Sequence, residues 1–458
     1  MSAIPACLQA EADGAKPDTV FGRSPTARAA VDGDVSVSVS GIVWSRSGTL
    51  LSMSDTSMGA RPRPLSGLRV LDLTRVLSGP HCTKQLADLG ADVIKLEPPE
   101  GDMTRTAQPR RGGISVLFSQ FNTGKRAVSM DLSRPEGRAL ALDLAAACDI
   151  VVENFRPGVA ARIGLGSDAV RARNPRVIYC SISGWGQTGS ASTRRAYAQI
   201  VHAEVGVVEF ASRKHRRAPI SEASAHADIE TAMQAVAAIL AALYHRERTG
   251  EGGYVEVSMA ETLLASHEWS ATEIALADTG RTGEEMLHSF GSYNAPILAL
   301  KDGTAVAFSG DPVGTWANWV IAGVPQDPRF SEREGRAARR NELVDHLAQW
   351  VAGFDTIEAL GAAVEPAKIA YGPVGTFAEL GDRDWMRERG GLVDVDDRAG
   401  GTLRLPRSPM RFSHLEAGTR GVAARQGEHN AAVLAELLDM TPATVAQMVA
   451  AGVLRERT

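Results

Sequence analysis

Short apolar runs alternate with helix-like segments from Leu65 onward, and this alternation is the strongest constraint on the fold. The runs RVLDLT (69–74) and DVIKLE (92–97) have the length and composition of buried strands. Between them, GPHCTKQLADLGA (79–91) is typical of a helix entered through Pro80. The series continues with AVSMDL (127–132), DIVVENF (149–155), RVIYCSIS (176–183) and YVEVSM (254–259). It predicts an α/β fold with a Rossmann-like parallel sheet covered by helices on both faces.

The chain has 458 residues, enough for more than one domain. Residues 1–62 are rich in Ala, Gly, Asp, Ser and Pro without apolar periodicity, which predicts a disordered or loosely attached N-terminal extension. Residues 63–264 hold the strand–helix series and are predicted to form the large domain. The pattern loosens afterwards, so we expect a smaller α+β domain at 265–380 and a C-terminal segment, 381–458, that returns to the large domain.

Composition restricts the kinds of partner that this chain can have. The formal net charge is -5, which argues against nucleic-acid binding because no basic surplus is available to neutralise phosphates. No run of eighteen or more apolar residues appears, so no membrane association is expected. The four cysteines lie far apart in sequence, which predicts no metal site and no disulfide framework, and favours a cytoplasmic location.

Six segments, taken together and in order, carry a resemblance to a known family. They are LSGLRVLDLTRVLSGPHCTKQLADLGADVIKLEPPEGDMTR (65–105), FNTGKRAVSMDL (121–132), DIVVENFRPGVAARIGLG (149–166), NPRVIYCSISGWGQTG (174–189), ILAALYHRERTGEGGYVEVSM (239–259) and GEHN (427–430). The chain resembles the family III CoA-transferases, or CaiB/BaiF family, which include formyl-CoA transferase and α-methylacyl-CoA racemase. No Walker loop, GxGxxG loop after the first strand or GxSxG elbow accompanies these segments.

The resemblance implies that coenzyme A or an acyl-CoA is bound as a substrate and that no metal takes part. It places the family's CoA contacts at Val76, Lys125, Asn154, Phe155 and Arg162. It also implies an interlocked homodimer, in which each chain threads its partner.

Charged residues near strand ends are further predicted contacts for CoA. Arg105 lies in GDMTR, after the strand that ends at Glu97, and the carboxyl ends of parallel strands are where open α/β sheets bind ligands. Lys125 and Arg126 place two cations in one tight loop, which suits the ADP phosphates of CoA. We therefore include Glu97, Arg105 and Arg126 in the predicted site. An ordinary salt bridge at Arg105 and a solvated turn at 125–126 remain open alternatives.

The segment RRAYAQIVHAEVG (194–206) departs from the family pattern. By resemblance, Ala198 stands where the transferases carry a nucleophilic aspartate, and a methyl group cannot accept an acyl group. If this segment is helical, His202 lies one turn after position 198 and is a predicted base or acyl acceptor. Glu204, six residues after position 198 and about 120° away from it, is a second, less well placed catalytic candidate. A partly buried histidine with satisfied hydrogen bonds and a solvated glutamate remain open alternatives. Asp228 occupies a position that is commonly acidic in the family and is predicted to support the site through hydrogen bonds.

The resemblance therefore implies an enzyme that moves CoA between an acyl-CoA and a carboxylic acid, with an active site that departs from the family pattern at position 198. Three alternatives stay open from the sequence. The first is an α-methylacyl-CoA racemase or epimerase, whose histidine falls where Tyr197 stands. The second is a non-catalytic CoA-ester-binding homologue or partner subunit. The third is a transferase inactivated by an engineered alanine at position 198.

Overall fold

The computed structural model describes residues 61–215, 217–279 and 295–456. Of the predicted N-terminal extension, residues 1–60 lie outside the described ranges. The strands are β1 (Arg69–Asp72), β2 (Asp92–Glu97), β3 (Arg110–Arg111), β4 (Ile114–Ser115), β5 (Arg126–Ser129), β6 (Ile150–Glu153), β7 (Ile178–Ser183), β8 (Gly253–Ser258), β9 (Ile297–Ala299), β10 (Ala305–Phe308), β11 (Tyr371–Pro373), β12 (Leu392–Asp396) and β13 (Thr402–Pro406).

Helices follow most of the strands. They are α1 (Ser78–Asp88), α2 (Val116–Asn122), α3 (Pro135–Ala146), α4 (Val159–Arg162), α5 (Ser167–Arg173), α6 (Ala198–Glu204), α7 (Val207–His215), α8 (His226–Thr249), α9 (Met259–Ser266), α10 (Ser270–Thr279), α11 (Pro312–Ile321), α12 (Arg333–Ala338), α13 (Arg340–Val351), α14 (Ile357–Val364), α15 (Asp384–Glu388), α16 (Asn430–Leu438) and α17 (Pro442–Ala450). Short 3₁₀ helices occur at Met103–Thr106, Pro328–Phe330 and Phe377–Asp382.

The main sheet has six strands in the order β5-β2-β1-β6-β7-β8, and every neighbouring pair is parallel. The predicted mixed α/β fold with a parallel sheet is confirmed, whereas the domain layout and the homodimer stay predictions. The chain builds the sheet outward from β1 through β2 to β5, then returns to the other side of β1 with β6. Loops after β1 and β6 therefore diverge, which leaves a crevice at their carboxyl ends.

The two faces of the sheet carry separate apolar cores, because successive strand residues point to opposite faces. Leu71 and Val151 contribute to one core, which α3, α16 and α17 cover. Val70 and Ile150 contribute to the other, which α1 and α8 cover. A third core lies within 298–371 and surrounds the fully buried Trp319. The strands are buried on both faces, and this explains their continuous apolar runs in the sequence.

Helix α8 is the longest helix among the described residues. It ends where Gly250 adopts the left-handed conformation with φ of 82°, which glycine reaches at no steric cost. By length and composition alone α8 meets the criterion for a membrane span, but the core helices of soluble proteins meet it too. Thr231, Ala235 and Ile239 are fully buried at four-residue spacing, which fixes the face that α8 turns toward the sheet.

Candidate active site

The loop between β1 and α1 is held in an unusual backbone conformation. Val76 has φ of 70°, a left-handed value that a β-branched residue rarely adopts. The side-chain amide of Asn154 clamps the preceding residue, accepting from the Arg75 N–H and donating to the Arg75 carbonyl at 2.8 Å each. Strain of this kind persists only where the surroundings enforce it, and such positions concentrate at functional sites.

A cavity of about 410 Å³ opens beside this loop, at the carboxyl ends of β1, β6 and β7. Its walls come from the loop after β1, the segment after β6, the segment 192–197 and the first turn of α8. The lining residues are Arg75, Val76, Ser78, Met103, Asn154, Phe155, Arg156, Pro157, Ile182, Ser183, Gly184, Ser192, Arg194, Arg195, Ala196, Tyr197, Asp228 and Met259. This cavity occupies the crevice that the strand order creates.

Asp228 is the one carboxylate that the described residues contribute to the cavity lining. It lies in the first turn of α8 and faces three donors: the hydroxyl and backbone N–H of Ser78 and the backbone N–H of Ala198. Burial raises the pKa of Asp228, and the three donors offset part of that rise. A carboxylate oxygen removed from bulk water and directed into a cavity is a suitable nucleophile or base.

Ala198 is the first residue of α6, and its side chain is buried against Val201 and Ala227. The neighbouring Tyr197 lines the cavity and is exposed. The contribution of Ala198 to the site is therefore its backbone N–H, which is directed at Asp228. The assignment of position 198 to the family's aspartate stays a prediction.

His202 is completely buried and does not line the cavity. Its Nε2 atom accepts a hydrogen bond of 3.0 Å from the backbone N–H of Ala227, the residue before Asp228. Burial lowers the pKa of His202, and the positive charge of nearby His226 lowers it further. The ring is thus kept neutral, with one nitrogen engaged by the backbone of α8.

Glu204 lies outside the cavity lining and holds one of its arginines. Both carboxylate oxygens of Glu204 accept hydrogen bonds from the Arg194 guanidinium, which also stacks over the Trp185 ring at 4.8 Å. This contact lowers the pKa of Glu204. The geometry makes Glu204 an anchor for Arg194, which lines the cavity.

Lys125 is buried under the sheet edge and does not line the cavity. Its ammonium group donates to the Asp72 carboxylate, the Pro80 carbonyl, the Thr83 hydroxyl and the Asn122 amide oxygen, all at 2.8–2.9 Å. Burial lowers its pKa to about 8. These four contacts exceed the three protons of the ammonium group, so Lys125 has no remaining proton for a phosphate.

The other predicted charges are also engaged within the chain. Arg105 pairs with the buried Glu97, donates to the Ala424 carbonyl at 3.0 Å and lies 3.8 Å over the Phe118 ring. Arg126 pairs with Asp92 and Glu436. Arg162 is exposed at the end of α4 and is not part of the lining. The structure thus brings Val76, Asn154, Phe155 and Asp228 together and leaves the predicted cations outside.

Sequence reasoning missed the arginines of the cavity. Arg75, Arg156 and Arg195 line it, and none forms an ion pair with another described residue. Ser78 was also missed, although it faces Asp228. Arg156 lies in the quoted ENFRPG segment and Arg195 lies three residues before Ala198, so position next to predicted site residues was the available signal. Within the described ranges, no group of three or more His, Cys, Asp or Glu side chains is placed to hold a metal.

Comparisons with known proteins extend over most of the chain. A family model described as CoA-transferase family III matches residues 65–430. The chain is 30% identical over 404 residues to a succinyl-CoA:glutarate CoA-transferase of Mus musculus, covering 86% of this chain and 91% of that protein. It is 33% identical over 384 residues to a succinyl-CoA:mesaconate CoA-transferase of Haloarcula hispanica, covering 81% and 96% respectively. A CaiB/BaiF family protein from Brucella suis has a similar structure, with a TM-score of 0.71, 31% identity and coverage of 82% and 100%.

Proposed function

Because this chain belongs to CoA-transferase family III, we propose that it transfers CoA from a dicarboxylic acyl-CoA to a free carboxylic acid, with Asp228 as the nucleophile. The observation that carries the proposal is the position of Asp228. It is the carboxylate of the cavity lining, and backbone and hydroxyl donors surround it.

CoA transfer through a carboxylate requires four balanced exchanges. An Asp228 oxygen bonds to the thioester carbonyl carbon, and the C–S bond breaks to give an acyl–aspartyl anhydride and CoA thiolate. The thiolate then attacks the aspartyl carbon, which releases the donor carboxylate and leaves an aspartyl-CoA thioester. The acceptor carboxylate displaces the thiolate to form a second anhydride. Attack of the thiolate on the acceptor acyl carbon gives the new acyl-CoA and regenerates Asp228.

The donors around Asp228 match the charge that these steps develop. Each attack on a carbonyl carbon produces a negatively charged tetrahedral oxygen, which preorganised N–H groups stabilise. In the two exchanges at the aspartyl carbon this charge forms on Asp228, and the backbone N–H groups of Ser78 and Ala198 lie beside that carboxylate. A backbone N–H is available whatever side chain stands at position 198. Alanine at this position is therefore compatible with the complete mechanism.

The cavity also supplies surfaces for the CoA molecule. Phe155 offers an apolar ring to the pantetheine arm or the adenine, and Val76 belongs to the same lining. Asn154 holds the loop that carries Val76. Arg156 has no carboxylate partner among the described residues, and we assign it to a CoA phosphate. The predicted cations stabilise the fold instead, through ion pairs within the chain made by Lys125, Arg105 and Arg126.

The charge of the cavity favours a substrate with a second carboxylate. Arg75 precedes the strained Val76, and Arg195 lies on the segment that leads to Ala198; both line the cavity that contains Asp228. Neither has an ion-pair partner in the described part of the chain. Guanidinium groups bind carboxylates through paired, charge-assisted hydrogen bonds. The relatives named for succinate, glutarate and mesaconate act on dicarboxylates. A substrate of that class agrees with the positive charge of the cavity arginines.

We propose a homodimer, because Phe377 and Trp385 expose 96% and 57% of their surface beside each other in one apolar depression. We propose a cytoplasmic location, because the cysteines of the described ranges, Cys82, Cys148 and Cys180, are free thiols.

The proposed function is tested by mixing the protein with succinyl-CoA and glutarate and following glutaryl-CoA by chromatography. We expect transfer by the natural chain and loss of at least about 10³-fold in Asp228→Asn, since the nucleophile is removed. Coenzyme A binding by calorimetry is the control for an intact cavity. Full transfer by Asp228→Asn, or no transfer by the natural chain with any dicarboxylic donor, contradicts the proposal.

A further inference from the structure

We propose that His202 is a positioning residue that fixes Asp228 by capping the first turn of α8 from a neighbouring helix. This inference rests on the proposed function, in which Asp228 is the nucleophile. It differs from the sequence-based prediction that His202 acts as a base or acyl acceptor.

The first turn of α8 requires an external hydrogen-bond acceptor. The first N–H groups of any helix have no partner within the helix, and a side chain at the preceding residue usually satisfies one of them. In α8 that preceding residue is Ala225, which provides no side-chain cap. The N–H of Ala227 donates instead to Nε2 of His202 at 3.0 Å. The cap therefore comes from α6, and it acts on the residue adjacent to Asp228.

Helix α6 contacts this turn at a second point. The N–H of its first residue, Ala198, lies near the Asp228 carboxylate and lowers the pKa of that group. His202 lies four residues later, on the same face of α6, and accepts from Ala227. In the first contact the N–H belongs to α6, and in the second the N–H belongs to α8. One buried cluster between these contacts contains Ala198, Val201 and Ala227. Helix α6 therefore contacts both the backbone of the first turn of α8 and the carboxylate of Asp228.

The burial of the ring argues for positioning and against direct chemistry. His202 is 0% exposed and is not among the cavity-lining residues. The Nε2 lone pair, which a base or nucleophile would use, is occupied by the Ala227 N–H. A substrate held in the cavity reaches Asp228 and not this ring.

The cap requires a neutral imidazole. Nε2 accepts only while the proton is on Nδ1. If Nε2 were protonated, its N–H would point at the N–H of Ala227. His226, Glu222 and Glu230 are the titratable groups that act on the ring. Burial and His226 lower the pKa of His202, whereas Glu222 and Glu230 raise it by less. The cap is therefore kept at neutral pH and is lost when acid protonates the ring.

The test compares His202→Gln, whose amide oxygen is still an acceptor, with His202→Leu, which has none. His245→Leu is the matched control, because it removes an exposed imidazole from the same helix. Steady-state succinyl-CoA:glutarate transfer gives kcat and KM, and thermal unfolding confirms that each variant is folded. We expect His202→Leu to lower kcat by about 10- to 100-fold with KM for succinyl-CoA changed less than about 3-fold, since a displaced nucleophile loses rate rather than binding. His202→Gln should stay within about 3-fold of the natural chain.

Hydrogen exchange separates this inference from the proposed function, because it does not depend on turnover. The peptide over residues 225–232 should exchange faster in His202→Leu than in His202→Gln or in the natural chain. If the natural chain transfers no CoA but this exchange pattern holds, the proposed function fails and the capping role stands. Equal exchange in all variants, full activity of His202→Leu, or equal loss in His202→Gln and His202→Leu overturns the positioning role.

Discussion

The backbone N–H of Ala198 lies near the carboxylate of Asp228, thirty positions further along the chain, and lowers its pKa. Ala198, which lacks a functional side chain, therefore belongs to the same site as Asp228, which provides the carboxylate. In the proposed mechanism the cavity needs only one acid, and α6 contributes a donor to it. The alanine at position 198 is thus consistent with an active transferase.

A carboxylate introduced at position 198 should inhibit the enzyme. In Ala198→Asp a second negative charge lies beside Asp228, and like charges in one site raise a carboxyl pKa. We expect kcat/KM at about pH 7 to fall by about 10-fold or more and the acid limb of the pH profile to move upward. Ala198→Asn, which adds similar volume without charge, is the control. A gain of transfer in Ala198→Asp would instead assign the nucleophile to position 198.

Substrate selection should depend on Arg75 and Arg195, which form no ion pair with another described residue. Succinyl-CoA and butyryl-CoA have acyl chains of equal length, and only the former has a distal carboxylate. We expect Arg195→Gln and Arg75→Gln each to reduce the preference for succinyl-CoA by about 10- to 100-fold, the range for a charged hydrogen bond. Arg248→Gln, at the opposite end of α8, is the control. An equal loss with both donors would show that these arginines serve CoA binding or folding.

The backbone at Val76 allows a test of local strain. Alanine keeps a Cβ atom and the cost of a positive φ, whereas glycine has none. We therefore expect Val76→Gly to be more stable than Val76→Ala by about 1 kcal/mol in urea unfolding. The comparison cancels the loss of the valine side chain, which both variants share. If Val76→Ala is the more stable variant, position 76 does not have a positive φ in solution.

Glu153 should make stability depend on pH. It is buried at the end of β6, and burial raises its pKa from 4.5 to about 7. A raised carboxyl pKa stabilises the folded state at low pH, and this contribution is lost as pH rises through the folded-state value. Glu153→Gln does not titrate, so its stability relative to the natural chain should rise by about 2 kcal/mol between about pH 5 and about pH 8. A pH-independent difference between the two proteins would contradict this assignment.

The sheet could be predicted from the sequence because its strands are buried on both faces. A strand in that environment must be continuously apolar, and RVLDLT and DVIKLE show this directly. The parallel order of such strands also predicts that residues at their carboxyl ends lie close together, and Val76, Asn154 and Phe155 line one cavity there.

The roles of the charged residues could not be predicted in the same way. The sequence alone does not show which acceptor a cationic side chain will contact after folding. Arg105 donates to the carbonyl of Ala424, 319 positions away, and Lys125 reaches the carboxylate of Asp72, 53 positions away. Helical geometry predicts that His202 shares a face of the helix with Ala198, but its hydrogen-bond partner, Ala227, belongs to another helix. Such contacts become visible only in the folded chain.

The most direct test of the account is to locate the covalent intermediate. The protein is mixed with succinyl-CoA in the absence of an acceptor, treated with hydroxylamine to trap any aspartyl thioester, digested and mapped by mass spectrometry. Asp228→Asn, treated identically, is the control. We predict a hydroxamate on Asp228 of the natural chain and none in the control. A stable adduct on His202 or another residue, or no adduct from a chain that transfers CoA, would contradict the assignment of Asp228 as the nucleophile.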